Sequence, residues 1–155
     1  MTMTDYRYTA SGLDNVILKG LRVLTDDAGD VVISIPNING LHQLLTREVA
    51  TKSTGLHPKE IRFLRTQLGM TQAELAQVVG RDTQTVGRWE RGETAPDQSE
   101  EMVIRALALE FVGGSVAVPE MIALARMTTK SASDQPFIID ASDPGNYRPV
   151  EPLAA

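Results

Sequence analysis

The chain has 155 residues, of which 42% are hydrophobic and 23% charged, and it contains no cysteine. The apolar content suffices for a packed core and excludes a wholly disordered chain. Without cysteine there are no disulfides and no cysteine-ligated zinc, and with only two histidines we expect no metal site and no cofactor. No run approaches the roughly 18 apolar residues of a membrane span, and the first residues lack a secretory signal pattern. We therefore expect a cytoplasmic protein that contacts no membrane.

Charge is uneven along the chain. The formal net charge is −5, which argues against a chain-wide polyelectrolyte contact with nucleic acid. Residues 57–96 are the exception, because they carry six basic and five acidic side chains while every other stretch is net acidic. The whole-chain charge hides this middle segment.

The first segment, residues 1–54, is predicted to be a small α+β module. Aliphatic and β-branched runs at residues 15–18, 21–24 and 31–35 indicate short strands. The Asp- and Gly-rich stretch 26–30 supplies turn chemistry, so the last two runs predict a hairpin. Four aliphatic residues then recur at helical spacing and predict a helix of about three turns. They are Leu41, Leu44, Leu45 and Val49.

Residues 55–128 are predicted to form an all-α domain of five helices. Capping residues and prolines mark where each helix begins, and glycines mark several of the ends. The predicted starts lie at Pro58, Thr71, Asp82, Asp97 and Pro119. From residue 129 to residue 155 the chain is rich in Ser, Asp and Pro, which predicts a disordered, flexible tail. The fold class is therefore α+β, with the two modules in sequence.

Two short capped helices joined by a tight glycine turn occupy residues 70–92. The second helix is predicted to bury Val86 and Trp89 and to expose its opposite, polar face. A major groove accepts such a helix, held by its partner helix, with base-reading side chains near its N-terminal end. Gln suits adenine and Arg suits guanine, while helix N-termini and further arginines suit phosphates. The predicted DNA-binding residues are Thr71, Gln72, Arg81, Thr83, Gln84, Thr85, Arg88 and Arg91.

The motif from Thr71 to Gly92 reads T-Q-x-E-L-A-x-x-x-G-x-x-x-x-T-V-x-R-W-E-x-G and resembles the helix-turn-helix of the Cro/phage-repressor (XRE) family. This resemblance implies that Gln84 and Arg88 read bases. It also implies a partly buried structural salt bridge between Arg65 and Glu90, while Trp89 is predicted to lie in the core. Such regulators bind double-stranded DNA as homodimers on palindromic operators.

A narrower resemblance spans both segments. Tyr8, residues 11–16 and residues 60–65 are similar to the MqsA-type antitoxins and their solitary relatives. In that family a zinc module precedes the helix-turn-helix, and two of its cysteines would fall here on Thr25 and Ala28. We therefore expect a metal-free hairpin in its place. The resemblance also implies an alternative function, an antitoxin whose N-terminal module binds a cognate toxin and whose DNA binding autoregulates its operon.

Enzymatic activity is not expected, because the sequence shows no nucleophile–base pair, phosphate loop or metal cluster. The sequence thus predicts a DNA-binding transcriptional regulator associated with the nucleoid through its DNA. One residue leaves two alternatives open. Gly87 destabilises its helix, and it either permits close approach to DNA or has no functional role.

Overall fold

The computed structural model describes residues 2–113, 119, 122–123, 126 and 135–150. Two compact units are present, Met1–Leu44 with Gln135–Ala155 (unit 1) and Leu45–Asp134 (unit 2). The division falls inside the first helix, whereas the sequence analysis placed the boundary after it, at residue 54. The strands are β1 Thr2–Arg7, β2 Val16–Thr25, β3 Val31–Ile33, β4 Phe137–Asp140 and β5 Arg148–Pro149. The helices are α1 Ile38–Thr51, α2 Pro58–Gln67, α3 Gln72–Val79, α4 Thr83–Arg91 and α5 Gln98–Gly113.

Unit 1 is built on a five-stranded sheet in which β2 pairs with three other strands. It pairs antiparallel with β1 and β3 and parallel with β4, and β5 adds antiparallel to β4. The predicted hairpin is confirmed, with Leu24 opposite Val32. Its turn is closed by Asp26, whose Oδ1 accepts the backbone N–H groups of Ala28 and Asp30 at 3.0 and 2.8 Å. Local Asp and Gly chemistry therefore determines this turn.

The predicted gap between the strand runs 15–18 and 21–24 is a β-bulge inside one continuous strand. Tyr6 lies opposite Leu18 and Thr4 lies opposite Leu21, so β2 carries one residue more than β1 over this interval. Gly20 occupies the bulge with φ of +72°, a conformation that costs glycine little. Because the extra residue shifts the alternation by one, Leu18 and Leu21 both face the core, where they are 0% and 2% exposed.

The predicted disordered tail is wrong for residues 135–150. β4 pairs in register with the first half of β2, and the side chains of Ile139 and Tyr147 are buried. The Asn15 amide also donates to the Gln135 carbonyl at 2.9 Å. The Ser, Asp and Pro content of the segment indicated disorder, but a strand of four residues is stabilised by pairing and burial rather than by local composition. Its partner lies far away in the sequence.

Unit 2 contains α2 to α5 close to their predicted positions, following the last residues of α1. The prediction of an all-α five-helix domain is confirmed for these four helices. Of the predicted fifth helix, residues 119–127, only residues 119, 122, 123 and 126 are described, and these four are helical; the others lie outside the described residues. The C-terminal half of α1 also belongs to this unit. Within the part of the chain that the structure describes, no helix is long and apolar enough to cross a membrane.

A buried arginine in α5 holds the connection between α1 and α2. Arg105 is 0% exposed, and its guanidinium donates to the carbonyls of Ala50, Lys52 and Thr54. It also donates to the Glu101 carboxylate at 2.9 Å. Carbonyls at a helix C-terminus have no partner within the helix, so this guanidinium supplies hydrogen bonds that the end of α1 would otherwise lack.

We expect Ile139→Ala to destabilise unit 1 by about 2–5 kcal/mol, because it removes a buried side chain and leaves a cavity beside β2. All three tyrosines lie in unit 1 and the single tryptophan in unit 2. Urea unfolding followed by the tyrosine near-UV signal therefore measures the change. Val150→Ala, at a side chain 39% exposed in the same segment, is the control and should change stability little. Equal effects of the two substitutions would contradict the placement of β4.

Candidate nucleic-acid interface

Helix α3 is closed at both ends by local interactions. The Thr71 hydroxyl accepts the Glu74 N–H at 3.1 Å, and the Glu74 carboxylate accepts the Thr71 N–H at 3.2 Å. This reciprocal pair is a capping box. At the other end Gly80 takes the left-handed conformation with φ of +74°. The chain therefore turns after only eight residues, which brings the next helix close to α3.

Helix α4 follows the same plan with a different cap. The Asp82 carboxylate accepts both the backbone N–H and the hydroxyl of Thr85, at 2.8 and 2.7 Å. These hydrogen bonds, led by the one from the hydroxyl, hold the pKa of Asp82 below its usual value. Gly92 ends the helix with φ of +78°. Thr71 and Thr85, both predicted to contact DNA, thus use their hydroxyls in the two caps.

One ion pair fixes α4 against α2. The Arg65 guanidinium donates from Nε and Nη2 to the two carboxylate oxygens of Glu90, at 2.6 and 2.9 Å. Its Nη1 donates to the Met70 carbonyl at 2.9 Å. The hydrogen bonds that Arg65 donates to Glu90 raise the pKa of Arg65, and the Glu90 side chain is only 5% exposed. Gln72 adds a contact from α3 to the same carboxylate at 3.3 Å.

The two faces of α4 differ sharply. Val86 and Trp89 are 0% and 2% exposed and form its packed side. Thr83, Gln84 and Arg88 are exposed on the other side of the helix. Within the described residues the Arg88 guanidinium makes no hydrogen bond or ion pair, although its charge helps to lower the pKa of Asp82 and of Glu93. The structure therefore presents two of the predicted base-reading side chains, an amide and a guanidinium, outward on one helix.

The remaining predicted cations contact carboxylates. Arg81 forms a hydrogen-bonded pair with Glu100, at the start of α5, and lies 3.7 Å from Asp97. Arg91 pairs with Glu93 at 3.1 and 3.2 Å. Neither Glu93 nor Glu100 was identified from the sequence as a partner of these arginines. Glu93 gave no motif signal beyond its position two residues after Arg91.

Removing one member of the Arg65–Glu90 pair should strongly destabilise unit 2. We expect Glu90→Ala to cost about 3–5 kcal/mol, because it leaves the largely buried Arg65 guanidinium without its carboxylate. Thermal or urea unfolding followed by Trp89 fluorescence measures this directly. Glu93→Ala removes a carboxylate from an exposed pair and is the matched control, with no measurable change expected. If Glu90→Ala unfolds like the wild type, the pair does not hold α4 in place.

The comparison with known proteins agrees with this geometry. Residues 61–100 match a family model described as helix-turn-helix, and this range begins in α2 and ends early in α5. No curated protein and no solved structure matches the chain. The narrower resemblance to MqsA-type antitoxins stays a prediction. Residues 61–100 are therefore a helix-turn-helix domain of the XRE type, the domain of a DNA-binding regulator.

Proposed function

We propose that the protein is a sequence-specific transcriptional regulator that acts by binding double-stranded DNA and not as an enzyme. In this proposal α4 lies in the major groove, where Gln84 and Arg88 contact base edges and Thr83 contributes at the helix N-terminus. Two copies of the chain bind the two halves of a palindromic operator.

The exposed face of α4 is the observation that carries the proposal. Gln84 and Arg88 lie four residues apart, so their side chains project from the same side of the helix. A side-chain amide can bind adenine at N6 and N7, and a guanidinium can bind guanine at O6 and N7. Since the Arg88 guanidinium forms no ion pair among the described residues, its donors are available to a base without breaking one.

The charge of the domain supports a binding mode that depends on few contacts. Arg65 and Arg81 are each paired with a carboxylate of the protein, so they add little positive field outside it. Phosphate attraction from one chain is correspondingly weak. A single recognition helix also reads only a few base pairs, too few to find one site in a genome. Pairing two chains on one operator supplies both affinity and information.

We expect Arg88→Ala and Gln84→Ala each to lose about 1–3 kcal/mol of specific affinity and to relax the preference at one base position, a different position for each. Operators are first obtained by selection from random duplex DNA. Binding is then titrated at fixed salt against the selected duplex and its single-base variants.

Melting curves of the same variants provide the control. Neither substitution should lower the melting temperature, because both side chains project away from Val86 and Trp89. If Arg88→Ala lowers the melting temperature but keeps every base preference, α4 does not read DNA with this face.

The selected sites should be inverted repeats with half-sites about 34–36 Å apart, one turn of the double helix. Sedimentation of the complex at saturating protein should give two chains per duplex, and a duplex with a single half-site should bind much more weakly. One chain per full operator at saturation would contradict the dimeric arrangement.

The antitoxin alternative is favoured by one observation in unit 1. All three residues of β3, Val31 to Ile33, are exposed, and β3 pairs only with β2 among the described strands. Such an apolar edge can accept a strand from another protein, and Asp26, Asp27 and Asp30 beside it would favour a basic partner. Co-expression with a small basic toxin encoded next to this chain discriminates the two functions. Growth rescue by the wild type but not by Val32→Lys would support the antitoxin, and absence of rescue would exclude it for that toxin.

A further inference from the structure

Gly87 lies in the middle of α4 and is buried, although its neighbours Gln84 and Arg88 on the same side of the helix are exposed. Two side chains cover it. The Arg91 Nη1 atom lies 2.9 Å from the point that a Cβ on Gly87 would occupy, and the Gln72 Oε1 atom lies 3.6 Å from that point. Gly87 therefore provides the space into which Arg91 extends, next to Gln72.

Glu93 sets the orientation of the Arg91 guanidinium from the edge that carries Nε and Nη2. Its Nε and Nη2 atoms donate to the two oxygens of Glu93, which follows the left-handed residue Gly92. A guanidinium has five N–H donors, so three remain, including both on the Nη1 atom above Gly87. The guanidinium already binds both oxygens of one carboxylate through two N–H groups, and arginine binds phosphate with the same two-point geometry.

We propose that Gly87 is a positioning residue for a contact between Arg91 and the DNA backbone. Without a side chain at residue 87, the Arg91 guanidinium lies across α4 beside the Gln72 amide oxygen, and its remaining N–H donors bind one phosphodiester. This proposal rests on the proposed function, because it requires α4 to lie in the groove. It assigns a role to a glycine that otherwise only weakens the helix.

A backbone phosphate explains this arrangement better than a base does. Arg91 lies in the last turn of α4, seven positions after Gln84, which is about 10 Å along the helix axis. Base-reading side chains lie near the N-terminal end of a recognition helix, so its last turn lies nearer the sugar-phosphate strand. The burial of Gly87 also argues against direct contact between its backbone and DNA, since Arg91 and Gln72 lie in between.

The substitution Gly87→Ala should change thermal stability and DNA affinity in opposite directions. The new methyl group would lie 2.9 Å from the Arg91 guanidinium, too close for contact, but this flexible side chain can move aside. We expect the melting temperature to rise by about 2–4 °C, because alanine favours the helix. Affinity for a random-sequence duplex should fall about 3–10-fold, and the slope of log affinity against log salt should become shallower by about one per bound chain.

A double-mutant cycle with Arg91→Ala tests whether Gly87 acts through Arg91. Arg91→Ala alone should show the same loss of affinity and the same change of slope. Gly87→Ala should then cause no further loss in the Arg91→Ala background, while still raising the melting temperature. Gln84→Ala is the control for base reading, and it should alter sequence preference but leave the salt slope unchanged.

Wild-type affinity and slope in Gly87→Ala would overturn the proposal, and so would a further loss in the double variant. If Gly87→Ala lowers the melting temperature, the salt dependence of Arg91→Ala is the test instead. A slope of log affinity against log salt equal to that of the wild type in Arg91→Ala overturns the proposal. If Gln84→Ala and Arg88→Ala change base preference while Gly87→Ala and Arg91→Ala do not change the slope, only this inference fails. If the wild type binds no duplex, the proposed function fails with it.

Discussion

The position of α4 depends on the ion pair with two hydrogen bonds between Arg65 and Glu90. This ion pair joins α2 to α4, and through the Met70 carbonyl and Gln72 it also reaches the turn before α3 and α3 itself. Glu90 lies one residue beyond Trp89 and belongs to the packed side of α4, so the ion pair and the aromatic core restrain the same end of the helix. Because the ion pair and the apolar packing both hold the opposite face of α4, the orientation of its exposed face is fixed.

The ion pairs that stabilise the domain also limit the positive charge that is available at its surface. Arg65, Arg81 and Arg91 each form an ion pair with a carboxylate of the protein, while Arg88 forms none among the residues that the structure describes. An acidic chain that binds DNA with so few available cations cannot rely on a broad positive surface. In the proposed function its affinity comes from well-placed individual groups and from two copies on one operator. In that proposal Arg88 and Gln84 are the groups that contact bases, and Arg91 over Gly87 is the group that contacts the backbone.

How far the sequence predicts this structure depends on the range of the interactions involved. The capping box at Thr71, the Asp82 cap and the turn at Asp26 are formed by residues within a few positions of one another, so they could be read directly from the sequence. Burial of Val86 and Trp89 followed from helical spacing. In contrast, β4 exists because it pairs with β2 across most of the chain, and its own composition pointed the other way.

The candidate site shows the same limit. Periodicity identified the exposed face of α4, but it could not show that the hydroxyl of Thr85 is used in the cap or that Arg81 reaches Glu100 at the start of α5. Those states depend on side-chain conformations and on distances between elements. Arg105 is a further case, because an arginine inside an amphipathic helix is usually expected to face solvent and here it is fully buried.

Methylation interference on a selected operator tests most directly whether α4 reads the major groove. Methylation of guanine N7 blocks the atom that a guanidinium binds there, without altering the minor-groove edge. The account predicts that N7-methylation of one guanine in each half-site abolishes wild-type binding, and that Arg88→Ala no longer responds to methylation at that position. Wild-type binding that tolerates N7-methylation at every guanine, but is lost on methylation of adenine N3 in the minor groove, would contradict it.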